Sequence, residues 1–169
     1  MRNKAESIIL KLGLQPHIEG GYFVETYKNS HHITSDNTHL DFEGTRPIAT
    51  TIYYLLKSSQ VSKFHKLKFD EQWFFHSGSA LLIYLIDKKG KLEKVRLGDN
   101  VTENEKPQFL VKSGVILGAE VIEQNSYTLV SCVVSPGFDY KDFVLFEADD
   151  LIQQFPQHED IIKKIQLLG

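Results

Sequence analysis

From Ile48 to Ala148 the chain alternates short apolar runs with polar turns. ATTIYYLL, VSKFHK, DEQWFFH, LLIYLID, LEKVRL, FLV, VILGAEVI, YTLVSCVV and FVLFEA are each rich in β-branched or aromatic residues. KSS, SGS, KKGK, KSG and EQNS separate them, and GDNVTENEKPQ is a longer polar connection. Such runs predict strands. After Ala148 the period changes, and DLIQQF and EDIIKKIQLL space their apolar residues as helices do. At the other end Asn3 and Glu6 can cap a short helix with Ile8, Ile9 and Leu12 on one face and Gly13 at its end. LQPHIEGGYFVETYK cannot continue it, because Pro16 and Gly20-Gly21 intervene before the β-rich run Tyr22 to Tyr27. Ser30 to Arg46 is polar, carries His31, His32 and His39, and reads as a long exposed loop. About nine strands framed by terminal helices, with none between strands, predict an antiparallel barrel or sandwich.

With 169 residues the chain is one domain long by the usual prior, and a self-sufficient core is feasible. A net charge of −3 and 24% charged residues describe an ordinary soluble surface, with no basic excess for nucleic acid. The one cysteine, Cys132, rules out an internal disulfide and suits a reducing compartment. The N-terminal apolar run, Ile8 to Leu10, is too short for a secretory signal, and nothing approaches the length of a membrane span. The expected location is the cytoplasm.

Candidate chemistry concentrates between Ser59 and Gly78. If His65 faces inward so do Leu67 and Phe69, while Glu71, Trp73 and Phe75 share one face of the next strand and His76 points away. His65 alone reads equally as a buried histidine with its hydrogen bonds made. Glu71 on an aromatic strand needs a partner, because carboxylates are seldom buried alone. Trp73 beside it suits either a ligand or plain packing. In PHIEGGYF, His17 and Glu19 are placed to rim the mouth of a barrel, with a β-bulge as the bland alternative. SPGFD reads as a turn seating Phe138, Cys132 as packing, and His31 and His32 as solvated loop.

The spacing of His65, Glu71 and Gly78 resembles the first cupin motif, G-x5-H-x-H-x3-E-x6-G, with Ser59 at its opening glycine and Leu67 at its second histidine. The second motif, G-x5-P-x-G-x2-H-x3-N, keeps Gly114, whereas Lys112, Leu117 and Val121 occupy its proline, histidine and asparagine positions. PHIEGGYF, TTIYYLL, FHKLKFDEQWFFHSG, LG at Leu97-Gly98, VKSG and VSPGFDYKDF, in that order, are similar to the cupin-5 type, a family named for a domain of unknown function. That resemblance implies an all-β jelly-roll barrel (a double-stranded β-helix, RmlC-like) with short terminal helices, usually a homodimer whose N-terminal strand crosses to the partner. A single domain over 1–169 follows: helix 1–13, strand and loop 14–47, barrel 48–147, helices 148–169.

Of the four ligand positions only His65 and Glu71 remain. They would hold a divalent ion weakly, so no metal or other cofactor is expected. The metal-free epimerases of nucleotide-linked keto-sugars are cupin relatives, and they suggest His65 as a base with Glu71 orienting or charging it. Tyr53, Tyr54 and Tyr84 are available tyrosines; Tyr53, with Trp73, His17 and Glu19, is expected to bind ligand. Three functions stay open: a metal-independent isomerase or epimerase on a small polar or sugar-like substrate, a non-catalytic metabolite-binding cupin, and a weakly ligated dioxygenase-like enzyme.

Overall fold

The computed structural model describes residues 4–38 and 40–167. The expected cap Asn3 and the loop residue His39 lie outside the described residues. Helix α1 (Lys4–Leu12) is followed by β1 (Gln15–Pro16), β2 (Tyr22–Lys28), β3 (His32–Thr34), β4 (Thr45–Pro47), β5 (Thr50–Lys57), β6 (Val61–Leu67) and β7 (Asp70–Gly78). The chain continues through β8 (Leu81–Ile86), β9 (Leu92–Leu97), β10 (Gln108–Val111), β11 (Ile116–Val121), β12 (Tyr127–Ser135) and β13 (Phe143–Leu145), then α2 (Ala148–Gln154) and α3 (Glu159–Leu167). Every apolar run picked out between Ile48 and Ala148 contains a strand.

Two antiparallel sheets, ordered β1-β2-β5-β12-β7-β10 and β13-β6-β11-β8-β9, form the jelly roll. Their inner faces share one core, to which Tyr54, Trp73, Val130 and Cys132 come from the first sheet and Ile83, Leu117 and Ala119 from the second. Each large side chain buried there contributes about 1.5–3 kcal/mol. The outer faces are covered too. α1 sets Ala5 against Leu55 and Tyr127, while α2 and α3 set Leu151, Ile162 and Ile165 against Phe64, Tyr84 and Ile86. Strands buried on both faces lose strict alternation, which is why ATTIYYLL reads as a continuous apolar run. Among the described residues no helix is long and apolar enough to cross a membrane.

The polar stretch 30–46 is not the structureless loop its composition predicts. β3 and β4 pair as a two-stranded ribbon, with His32 opposite Pro47, and Phe42 packs edge-on against Phe69. Arg46 is buried. Its Nε and Nη2 donate to the two oxygens of Asp142 at 2.6 and 3.0 Å, and its Nη1 donates to the carbonyls of Glu43 and Thr45. These contacts lie far apart in sequence, so a local polarity reading misses them. His31 and His32 are exposed, as expected.

Candidate functional site

Three segments deliver the site. β6 brings His65, β7 brings Glu71 and Trp73, and the turn between β1 and β2 brings His17 and Glu19. With Tyr54, Cys132, Phe138 and Phe143 they line a cavity of ≈ 50 Å³. On this measure a water needs about 10–15 Å³, so the cavity has room for a few.

The N-terminal turn reaches the interior because Gly20 and Gly21 let backbone approach backbone. Gly20 sits at φ +112°, and a Cβ on it would lie 2.0 Å from the carbonyl oxygen of Val61. A Cβ on Gly21 would lie 2.7 Å from the Tyr54 hydroxyl. The Lys63 N–H donates to the Glu19 carbonyl at 2.7 Å, pinning this first-sheet arm onto β6 of the second sheet, and the Tyr54 hydroxyl donates to the Gly20 carbonyl at 2.9 Å. Gly20→Ala is therefore expected to cost well over 1 kcal/mol in urea unfolding, since φ and space both oppose it; a smaller loss would show that this approach is not tight.

A bulge in β6 completes the arrangement. Leu117 pairs with His65, but Ala119 pairs with Ser62, so β6 carries an extra residue there. Residues three apart would ordinarily face opposite ways; the bulge turns Ser62 and His65 to the same carboxylate. Ser62 Oγ donates to Glu19 Oε1 at 2.8 Å, and His65 Nε2 lies 3.3 Å from Glu19 Oε2. His17 Nδ1 stands 3.4 Å from that same oxygen. On its other side, His65 Nδ1 meets the Lys63 carbonyl at 2.7 Å, and the ring stacks on Phe143 at 5.3 Å. Glu71 Oε2 accepts the Trp73 indole N–H at 2.7 Å.

Burial governs the ionisation of this cluster. It pushes Glu71 up to about 7, against the pull of His65, and it raises Glu19, against the pull of His17 and the Ser62 hydroxyl. It lowers His65, against Glu71, and lowers His17, against Glu19. It raises Tyr54 and Cys132. Taking charge out of water without full compensation disfavours the charged form of each group. Among the described residues no lysine or arginine lines the cavity.

His65 and Glu71 thus open on one enclosed space, although the nearest acid to His65 is Glu19. Trp73 lines it, and so do His17 and Glu19, which the sequence places at the rim and the structure places inside. Tyr53 does not. Neighbours on a strand face opposite ways, so Tyr54 turns inward with Ile52 while Tyr53 packs beneath α1 and against His76. His76 is exposed and touches the Ser131 hydroxyl. Tyr84 bonds Glu120 away from the cavity. Cys132 packs in the core as expected, and it also borders the cavity. Tyr54 and Ser62 were not legible as site residues, because a strand with two buried faces carries no parity signal and a bulge carries no composition signal.

The donors do not suit the metal cage of the cupin motifs. Leu67 lines the cavity and Leu117 is fully buried at the two lost histidine positions. Glu19 comes close, but both its oxygens face Ser62 and the two imidazoles. Among the described residues no group of three or more His, Cys, Asp or Glu side chains is arranged to hold a metal ion.

The family model Cupin_5, described as Cupin superfamily (DUF985), matches residues 6–146. The chain is 30% identical over 151 residues to an uncharacterized protein of Saccharomyces cerevisiae, YML079W, covering 79% of this chain and 71% of that one. Two solved structures share 37% identity and a TM-score of 0.87 with it. Protein SO0799 from Shewanella oneidensis aligns over 98% of both chains, and a hypothetical protein from Leishmania major aligns over 96% of this chain and 98% of its own. An oxalate decarboxylase variant from Bacillus subtilis, 14% identical, covers 89% of this chain and 36% of its own at a TM-score of 0.55; that likeness is one of fold alone.

Proposed function

Because the chain belongs to the Cupin_5 (DUF985) family of the cupin superfamily, we propose that its jelly roll binds a small polar, carbonyl-bearing metabolite and moves a proton beside the carbonyl without a metal, as an isomerase or epimerase does. The observation that carries this reading is a buried pocket holding two carboxyls and two imidazoles, with burial shifting Glu71 to about 7. A proton carrier works best when its pKa lies near the working pH.

Within that reading Glu71 carries the proton. Both ring nitrogens of His65 already face partners, Lys63 and Glu19. Glu71 has the indole on one oxygen and, beyond it, the Cys132 thiol, a weak donor. His65, whose charged form burial disfavours, then supports the floor of the pocket. This reverses the roles that the likeness to metal-free epimerases suggests for the two residues. Tyr54, whose proton goes to the Gly20 carbonyl, is poorly placed as an acid. Phe138 and Phe143, both partly exposed, would have to move to admit anything larger than a few waters.

The test is deuterium wash-in. The protein is purified gently, any co-purifying ligand is identified by native mass spectrometry, and that ligand is incubated in D2O with small hydroxy-ketones and 2-oxo acids as companions. Exchange at the carbon beside the carbonyl, faster than in buffer, is the expected result. A ligand that raises the melting temperature yet shows no exchange would leave the binding-module reading in place. The narrow, mostly apolar cavity favours that second reading. A cytoplasmic homodimer completes the proposal, with the exposed apolar Ile18 and Tyr27 of the N-terminal arm in its support; light scattering at a monomer mass would remove the dimer.

A further inference from the structure

We infer that Glu19 is the positioning residue of the pocket: its carboxyl proton, on Oε2, is donated to His65 Nε2, so that the two form a neutral, hydrogen-bonded floor beneath Glu71. The argument is one of donors and acceptors. A backbone carbonyl only accepts, so the 2.7 Å contact with Lys63 places a hydrogen on His65 Nδ1. A neutral imidazole then has only a lone pair at Nε2, and an ionised carboxylate has only lone pairs at its oxygens. At 3.3 Å the two would repel unless a proton lies between them.

Two arrangements supply that proton, an imidazolium beside a carboxylate or an imidazole beside a carboxylic acid. The side chains of His65 and Glu19 are 2% and 7% exposed, and among the described residues no lysine or arginine lines the cavity. A buried ion pair must recover the hydration of both charges through its own contacts. Here the carboxylate would gain the Ser62 hydroxyl but also face Glu71 across the cavity. The directions in which burial moves Glu19 and His65 agree with the neutral arrangement. The other groups facing the pair are compatible with it. Ser62 donates to Oε1, which leaves Oε2 for the proton; His17 Nδ1 accepts the Glu19 backbone N–H at 3.4 Å; the Tyr54 hydroxyl, which also stands beside Glu19, donates to the Gly20 carbonyl; and Cys132 stays a thiol. Glu71 remains as the group whose proton is free to exchange with a ligand.

The inference deepens the proton-transfer reading, but its test needs no ligand, so the two can fail separately. The full chain is labelled with 15N at histidine, and ring nitrogens are read by long-range correlation at pH 7, with His65→Asn and His17→Asn assigning the signals. His65 is expected as the Nδ1–H form, with Nε2 a hydrogen-bonded acceptor. Glu19→Ala should shift the Nε2 signal towards that of an unbonded lone pair and leave Nδ1 in place. Glu19→Gln, whose amide N–H can donate to the same nitrogen, should stay near wild type. An Nε2–H tautomer or an imidazolium at pH 7 overturns the inference, as does an unmoved Nε2 signal in a folded Glu19→Ala. If Glu19→Ala does not fold, the tautomer of the wild-type ring decides.

Discussion

Replacing Glu71 by glutamine is expected to slow deuterium exchange by about 10²–10⁴-fold, the range over which a positioned acid–base group contributes, while leaving the fold intact. Glutamine keeps the shape and an oxygen for the Trp73 N–H but cannot release a proton. The same variant should change stability with a definite sign. Glu71 in the folded chain holds its proton up to about 7, whereas its ordinary value is 4.5. Below pH 4.5 both states are protonated and the shift has no effect. Between these values the unfolded chain has lost the proton and the folded chain keeps it, so wild-type stability falls as pH rises. Above pH 7 the loss levels off at about 3 kcal/mol, from 1.36 kcal/mol per pKa unit. Glu71→Gln lacks this fall, so it should gain on wild type between urea unfolding at pH 5 and at pH 8. Lost exchange together with gained alkaline stability would separate chemistry from unfolding. A variant that exchanges normally would remove Glu71 from the mechanism.

Arg46→Ala is expected to destabilise the chain by about 3–5 kcal/mol, the usual cost of removing one partner from a buried pair. Asp142 would be left buried with its two strongest donors gone, and the guanidinium would leave the Phe42 ring it covers at 5.3 Å. The effect should reach the site, because Asp142 immediately precedes β13, whose Phe143 stacks on His65. Removing both partners in Arg46→Ala/Asp142→Ala should recover part of the loss, since the uncompensated carboxylate disappears. Urea midpoints for the two single variants and the double variant measure the coupling. A single-variant cost below about 1 kcal/mol would mean that the pair behaves as an exposed one.

The two carboxyls that line the cavity, Glu19 and Glu71, differ in how far the sequence reveals them. Glu71 stands out because it is a charge among Trp73, Phe74 and Phe75, and His65 because a fixed spacing links it to Glu71. Glu19 looks like a rim residue, and its interior place depends on Gly20 passing against the Val61 carbonyl, a contact across more than forty residues of chain. Likewise Ser62 joins His65 only through an extra residue in β6, visible in the register against β11. Tyr53 and Tyr54 show the same limit. Both faces of β5 are covered, one by the core and the other by α1, so hydrophobicity cannot say which tyrosine turns inward.

By itself the sequence determined the strands between Ile48 and Ala148, the terminal helices and an antiparallel barrel or sandwich, because turn residues and apolar runs act over a few residues each; the jelly roll came from the resemblance of its motifs to the cupin family. It also determined that two cupin ligand positions are leucine, since residue identity needs no geometry. Tertiary structure alone decided that the polar arm 30–46 is a ribbon fastened by Arg46, that Glu19 rather than Glu71 faces His65, and that Tyr54 lines the cavity. Those outcomes depend on backbone approach, a bulge and a buried ion pair. Each is a contact between distant segments whose free energy appears only when the sheets close on one another.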